Sequence, residues 1–139
     1  MDVDRAGLAK VAREWISLWC APVDWVRFDR LHSDDFVDES AAGRAPTKAG
    51  FAAGLAELVA AFPDLETWVD DLVIDELRSR VAVRWSARGT HRQRFLGVEP
   101  TDRRTTFCGI EIVEVRGGRI TRRWGEWDLS STLTHPSAA

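Results

Sequence analysis

The chain has 139 residues, of which 45% are hydrophobic and 29% charged, and its formal net charge is −3. This length favours one domain, which we expect to span residues 1–139. The composition excludes a collagen, a disulfide-rich scaffold and a long disordered protein. No stretch approaches the ~18 consecutive apolar residues of a membrane span. The acidic start lacks the basic and apolar regions of a signal peptide, so we expect a cytoplasmic protein without a membrane partner.

The net negative charge also argues against nucleic acid as a partner, because nucleic-acid binders usually carry a basic face. Cys20 and Cys108 are far apart and form no metal-binding spacing, so we expect free thiols. The sequence has no glycine-rich phosphate loop, HExxH motif, CxxC motif or nucleophile elbow. With these motifs absent, the chemistry that we expect is acid–base catalysis by carboxylates and a histidine.

Helical spacing of apolar residues predicts three helices in the first part of the chain. Each follows a residue suited to an N-cap: Asp4, Asp24 and Thr47. The first helix ends before Pro22, and the third runs from about residue 48 to residue 62. A short strand is predicted over residues 35–39, and a loop follows over residues 41–46.

After Pro63 the apolar period shortens to two, and β-branched and aromatic residues dominate. Four strands are predicted, over residues 65–76, 80–90, 104–116 and 119–129. Gly117-Gly118 is typical of a two-residue hairpin, and residues 134–139 are expected to form a loose tail. Helices followed by strands indicate an α+β fold. We expect a cone-shaped barrel in which a strongly curved, mostly antiparallel sheet wraps the N-terminal helices and leaves a pocket at its open end.

Four residues are candidates for catalysis in such a pocket: His91, Glu111, Glu126 and Asp128. His91 follows a predicted strand, where an imidazole at the pocket mouth can exchange a proton near pH 7; a surface histidine in a loop is the alternative. Glu111 stands between Ile110 and Ile112, and these apolar flanks slightly favour a carboxylate that faces solvent over one that faces the pocket.

The last predicted strand carries the other two carboxylates. Strand alternation places three residues on one face: Trp124, Glu126 and Asp128. Two carboxylates beside a tryptophan in a half-dry cleft would have raised pKa values and could act as acid or base. The alternative for each of them is a charge that faces outward and keeps the surface hydrated.

Seven tryptophans and no tyrosine are present. Flat aromatic side chains suit the walls of a pocket for an aromatic or polycyclic ligand, although such residues more often form the core. The candidate ligand-contacting residues are Trp15, Asp38, Trp85, Phe95, Trp124 and Trp127.

Several segments together resemble the SnoaL-like polyketide cyclases, small cytoplasmic proteins with the cone fold of nuclear transport factor 2 and ketosteroid isomerase. The segments are Phe62-Pro63-Asp64-Leu65, Gly89-Thr90-His91, Phe95-Leu96-Gly97, Pro100-Thr101-Asp102-Arg103-Arg104 and Trp124-Gly125-Glu126-Trp127-Asp128-Leu129. The resemblance covers roughly the last two-thirds of the chain and specifies the fold better than the reaction, because this fold hosts many functions. It implies aldol ring closure of a polyketide, started by an aspartate that abstracts a proton, with no metal and no cofactor. It also implies a homodimer formed through the outer face of the sheet, on which Arg84, Ser86 and Arg88 are candidates.

Three functional positions of the cyclases are not kept when residues are counted from the turn at Gly118. Gly125 stands at the catalytic aspartate, Glu111 at a pocket histidine and Gly109 at a glutamine. His91 and the loop over residues 100–104 do match. Glu111 could replace the lost base if it faces the pocket, with Asp128 or Glu126 across the cleft. A shift of one residue would instead bring Glu126 onto the catalytic position.

The sequence and the resemblance together predict a cofactor-independent acid–base enzyme acting on a polyketide or similar polycyclic small molecule, by cyclisation or isomerisation. A hydroxylase-associated or epoxide-opening enzyme is an alternative. Epoxide opening is less favoured, because the Arg-x-Asp that it needs on a middle strand reads Arg84-Trp85-Ser86 here. A non-catalytic small-molecule binding protein of the same fold is the other alternative.

Overall fold

The computed structural model describes residues 4–135, which form four helices and five strands. The first elements are α1 (Arg5–Ile16), α2 (Trp25–Leu31), β1 (His32–Asp38) and α3 (Lys48–Ala61). The later elements are β2 (Glu66–Asp75), β3 (Arg80–Thr90), β4 (Arg104–Arg116), β5 (Arg119–Trp127) and α4 (Leu129–Thr134).

The three predicted N-caps are confirmed. Each cap side chain accepts a hydrogen bond from a backbone N–H of the first helical turn: Asp4 from Gly7 at 2.9 Å, Asp24 from Arg27 at 3.0 Å and Thr47 from Gly50 at 3.1 Å. These N–H groups have no partner inside the helix, so the caps fix where α1, α2 and α3 begin.

Several element boundaries differ from the prediction, among them the start of β1 and the end of the last strand. β1 begins at His32 rather than at residue 35, because the extended backbone of His32 directly ends α2. The last strand ends at Trp127, and the chain then turns into α4, which the sequence analysis missed. Leu129 and Leu133 of α4 are buried one helical turn apart, so apolar burial at the end of the chain stabilises a helix there. Of the expected loose tail, Thr134 belongs to α4, and residues 136–139 lie outside the described part of the chain.

One five-stranded sheet organises the fold, in the order β1-β5-β4-β3-β2. β1 runs parallel to β5, and the other neighbours are antiparallel. The hairpin between β4 and β5 has positive φ angles at Gly117 and Gly118, as a two-residue turn between twisted strands requires. α1 packs on β2 and β3, and α3 packs on β1. The predicted cone-shaped α+β fold is therefore confirmed, with a mixed sheet that does not close.

His32 anchors the polar centre of the core between α1 and α2. The indole N–H of Trp15 donates to His32 Nε2 at 2.9 Å, and His32 Nδ1 lies 2.7 Å from the carbonyl oxygen of Phe28. Since an indole N–H can only donate, Nε2 must accept and Nδ1–H must donate. Burial lowers the pKa of His32 from 6.5 to about 4, although the bond to Phe28 opposes this shift. The folded protein therefore keeps this ring neutral.

This neutral histidine makes folding stability sensitive to acid. Between the two pKa values the unfolded chain binds a proton that the folded chain excludes, so the contribution of His32 to stability is lost as the pH falls below about 6.5. We expect His32→Asn, whose amide can still donate to Phe28, to lose about 2 kcal/mol less than the unsubstituted protein between pH 7 and pH 5. Urea unfolding at both pH values measures this difference. Equal losses in the two proteins would contradict the role of His32.

Candidate active site

A cavity of about 440 Å³ opens between the concave face of the sheet and α3. Its aromatic walls come from Trp19, Phe51, Trp85, Phe95 and Trp127. Its polar lining comes from Ser40, Arg44, Glu57, Glu111, Arg123 and Glu126. Flat apolar walls with a few polar groups are typical of small-molecule sites.

Glu111 lies on the cavity wall and is only 1% exposed. Arg123 donates to Glu111 Oε1 through Nε at 3.1 Å and through Nη2 at 2.7 Å. The other carboxylate oxygen, Oε2, accepts no hydrogen bond among the described residues. Glu111 therefore has one oxygen held by Arg123 and one oxygen uncommitted.

The solvent-facing interpretation of Glu111 is wrong. Its neighbours Ile110 and Ile112 are 56% and 38% exposed, so they occupy the outer face of the sheet and Glu111 occupies the concave face. The usual association of apolar residues with the interior is reversed at this point of β4. Alternation identifies the two faces of a strand but does not say which of them is buried. An exposed outer face that carries apolar residues therefore cannot be predicted from alternation alone.

Gly125 makes room for the Glu111 carboxylate. The two residues are paired across β4 and β5, and a Cβ placed on Gly125 would overlap Glu111 Oε2 and Arg123 Nη2. The carboxylate thus occupies the space that a side chain at position 125 would take. This is the position at which the resemblance placed an aspartate.

A second buried carboxylate, Asp38, holds Arg123 from the other side. Arg123 Nη1 donates to Asp38 Oδ1 at 2.9 Å, and Arg44 Nη2 donates to Asp38 Oδ2 at 3.1 Å. The backbone N–H of Ser40 also donates to Oδ1, at 3.0 Å. Asp38 does not line the cavity; it fixes Arg123 and the loop that follows β1. The charges alternate in the order Glu111, Arg123, Asp38, Arg44.

Burial raises the pKa of Glu111 from 4.5 to about 7, even though the charge of Arg123 and its hydrogen bonds oppose the shift. Asp38 adds to the increase by repulsion. Both protonation states of Glu111 are therefore populated near neutral pH. A carboxyl group in this state can both take and give a proton, as a general base or acid must.

His91 does not lie at the mouth of the cavity, nor on the surface. It is completely buried, and its ring stacks on Phe62 with 5.3 Å between the ring centroids. The backbone N–H of Thr101 donates to His91 Nδ1 at 3.2 Å, and the backbone of His91 pairs with Asp102 and Arg103. The ring thus fixes the loop between β3 and β4. His91 was expected at an open pocket mouth, but the packing of this loop against it buries the side chain.

The face of β5 that carries Trp124, Glu126 and Asp128 is the outer face. Trp124 lies beneath Arg80, with 4.8 Å from the guanidinium carbon to the ring centroid. Glu126 is exposed, opposite Ile110, and it also contributes to the lining of the cavity. Asp128 is exposed beyond the end of β5 and accepts a hydrogen bond from the backbone N–H of Cys108 at 2.8 Å. The alternation was predicted correctly, but the pocket-facing assignment is wrong for Trp124 and Asp128, which do not line the cavity.

The structure brings three of the predicted aromatic residues to the cavity: Trp85, Phe95 and Trp127. Trp15 lies in the core, where it binds His32. Neither Phe51 as part of the cavity wall nor Arg123 as the partner of a buried carboxylate was predicted from the sequence. Arg123 shares a strand face with Gly125 and Trp127. This alternation is the sequence feature from which its position on the cavity wall could have been predicted.

The comparisons with known proteins agree with this architecture. The sequence matches the SnoaL-like polyketide cyclase family over residues 9–135, so the chain belongs to that family. No curated protein matches the sequence. Among the described residues, no helix is long and apolar enough to cross a membrane, and no cluster of three or more potential ligands is arranged for a metal ion.

Three solved structures of Streptomyces proteins are similar to this one. TsrD from Streptomyces laurentii has a TM-score of 0.84 at 20% identity, over 99% of this chain and 100% of TsrD. AclR from Streptomyces galilaeus, provisionally assigned as a hydroxylase, has a TM-score of 0.80 at 24% identity, over 94% and 96% of the two chains. IdmH from Streptomyces antibioticus, provisionally assigned as a polyketide cyclase, has a TM-score of 0.78 at 27% identity, over 91% and 96%. These likenesses support the fold assignment.

The fit between Gly125 and Glu111 can be tested by substitution. We expect Gly125→Ala to displace the Glu111 carboxylate and to reduce the free energy of unfolding by about 2–4 kcal/mol. The same substitution should cost at least about 1 kcal/mol less when Glu111→Ala has already removed the carboxylate. A double-mutant cycle measured by urea unfolding checks this coupling. Additive effects of the two substitutions would contradict the contact.

Proposed function

We propose that this protein is an acid–base enzyme acting on a polyketide or similar polycyclic molecule, with Glu111 as the base and with no metal or cofactor. The reaction is an enolate-forming cyclisation or isomerisation. The observation that carries the proposal is the buried Glu111 carboxylate on the cavity wall, with one oxygen held by Arg123 and the other uncommitted. Membership of the SnoaL-like family adds support.

The proposed chemistry begins with proton transfer to Glu111 Oε2. The proton comes from a substrate carbon next to a carbonyl group, and the substrate becomes an enolate. In a cyclisation, the enolate carbon forms a bond to a second carbonyl carbon of the same molecule, and Glu111 returns the proton to the new alkoxide oxygen. In an isomerisation, Glu111 returns the proton to a different carbon. Either sequence restores the ionised carboxylate.

Two features of the charge array suit this role. A base whose pKa is about 7 combines a large ionised fraction with a strong affinity for the proton at neutral pH. Arg123 also forms an ion pair with Asp38, at 2.9 Å, which does not depend on the proton of Glu111. The guanidinium therefore never becomes an unpaired buried charge during the cycle, which would be costly.

The cavity also fits the proposed substrate class. Five aromatic side chains line a space of about 440 Å³, which is within the range of small-molecule pockets. Flat rings can stack on such walls and be held in the folded conformation that a ring closure needs. The provisional assignment of IdmH as a polyketide cyclase, at 27% identity, points to the same class.

Glu111→Gln tests the base, because the amide keeps the shape of the side chain and cannot accept the proton. A suitable probe is nitrobenzisoxazole, a flat aromatic carbon acid: removal of its carbon-bound proton breaks the N–O bond and releases a coloured nitrile phenolate. We expect Glu111→Gln to lower the turnover rate by about 10²–10⁴-fold. The rate of the unsubstituted protein should increase with pH, with a midpoint of about 7.

Asp128→Asn is the matched control, since Asp128 is a carboxylate outside the cavity. We expect it to retain the rate and the pH profile of the unsubstituted protein. A large loss in Asp128→Asn with none in Glu111→Gln would transfer the catalytic role to Asp128. An unchanged rate in both variants, with saturable binding of the probe, would favour a small-molecule binding protein.

The same proposal includes a cytoplasmic homodimer that pairs through the outer face of the sheet. Cytoplasmic conditions would keep Cys20 and Cys108 as the free thiols that they are in the structure. The outer face exposes Trp68, Ile110 and Ile112, and a second sheet would remove this apolar surface from water.

Light scattering tests the dimer. We expect a dimer mass for the unsubstituted protein and a monomer mass for Ile110→Glu, which places a charge in the middle of the proposed interface. Leu77→Glu adds the same charge in the exposed turn after β2 and should remain dimeric. A monomeric unsubstituted protein at micromolar concentration contradicts the proposal.

A further inference from the structure

Trp85 carries a hydrogen-bond donor that the core does not use. The side chain is completely buried in the middle of β3, and its Nε1–H has no hydrogen-bond partner among the described residues. A buried N–H without a partner costs about 1–3 kcal/mol, and native structures contain few of them. The position of this donor beside the proposed base suggests a use for it.

The strand register places Trp85 next to Glu111. Trp85 pairs with Gly109 on β4, and Glu111 pairs with Val83 on β3. Trp85 and Glu111 are therefore diagonal neighbours on the concave face, a separation that an aromatic side chain can span.

Gly109 lets the indole ring lie flat against β4. A Cβ on Gly109 would come within 2.9 Å of Trp85 Cε2 and 2.7 Å of Cζ2. Cε2 is the ring carbon bonded to Nε1, so the edge that carries the N–H lies against β4 two residues from Glu111. The indole N–H lowers the pKa of Glu111, but in the structure it forms no hydrogen bond to the carboxylate.

Among the described residues, no other charged group around Glu111 donates a hydrogen bond to Oε2. Arg123 from β5 donates to Oε1 and to Asp38, which comes from β1. Arg44, from the loop before α3, donates to Asp38. Glu57 from α3 and Glu126 from β5 line the cavity as exposed acids and cannot donate when ionised.

We propose that Trp85 is a positioning residue, whose indole N–H closes onto Oε2 of Glu111 when the carboxylate is ionised and moves away when it is protonated. A carboxylate oxygen has two lone pairs. The N–H takes one of them, and the other remains directed at the substrate proton. The catalytic role of this contact rests on the proposed function, in which Glu111 is the base. The contact between Trp85 and Glu111 can itself be measured without a substrate.

The first experiment follows the ionisation of Glu111 by carbon-13 NMR of the glutamate carboxyl groups, with Glu111→Gln used to identify the signal. Trp85→Phe keeps an aromatic ring and removes the N–H. We expect the Glu111 midpoint to increase by about one pH unit in Trp85→Phe, the size of a hydrogen bond to a charged group. Trp19→Phe, the same change in another indole of the cavity wall, should leave the midpoint in place. An unmoved midpoint in Trp85→Phe overturns the proposal, and so does a shift that only Trp19→Phe produces.

A second measurement uses the unsubstituted protein and holds even where Trp85→Phe fails to fold. The indole N–H signal of Trp85 in a proton–nitrogen correlation spectrum should move as Glu111 ionises, with the same midpoint. This movement should disappear in Glu111→Gln. A Trp85 signal that stays constant across the titration contradicts the contact.

The two proposals fail in distinguishable ways. If the Trp85 signal follows Glu111 while Glu111→Gln retains full turnover of nitrobenzisoxazole, the contact stands and the base assignment falls. If Glu111→Gln loses turnover while the Trp85 signal is constant, the base stands and the positioning role falls. If both stand, the midpoint of the pH–rate profile in Trp85→Phe should rise by the same amount as the NMR midpoint.

Discussion

Arg123 forms buried ion pairs with both Glu111 and Asp38, and the concave face of the sheet depends on this interaction. Two carboxylates and a guanidinium buried together would destabilise the fold if any one of them lost its partner. The sheet order avoids this, because parallel pairing of β1 with β5 brings Asp38 opposite Arg123 and antiparallel pairing brings β4 to the other side. β1 is thus joined to the β4–β5 hairpin, which is distant from it in sequence, by side-chain charges as well as by backbone hydrogen bonds.

Two glycines give this arrangement its shape. Gly125 leaves the space that the Glu111 carboxylate fills, and Gly109 leaves the space that the Trp85 ring fills. Both glycines matter because they have no side chain, since protein interiors are closely packed and have little space for one. Positions 109, 111 and 125 are those at which the resemblance to the cyclases is not kept, yet the cavity still contains a carboxylate. That carboxylate belongs to Glu111 on β4, and it lies over Gly125 on β5.

Local rules predicted the local features of this protein. The caps at Asp4, Asp24 and Thr47 and the turn at Gly117-Gly118 depend on residues within one turn of each other, so the sequence contains all that determines them. Which face of a strand is buried depends on the rest of the sheet. The apolar flanks of Glu111 therefore favoured solvent although the residue faces the cavity, and the tryptophan near Asp128 favoured a cleft although Asp128 faces solvent.

The energetics of Glu111 argue that its burial serves more than structure. Its folded pKa lies above its unfolded pKa, so the contribution of this group to stability is complete below about pH 4.5 and is lost as the pH rises through about 7. At neutral pH the ionised form therefore costs stability even with Arg123 beside it. A glutamine could bind Arg123 through its carbonyl oxygen without that cost. A carboxylate whose ionised form costs stability, and whose uncommitted oxygen lies at an aromatic cavity, has the properties expected of the proposed base.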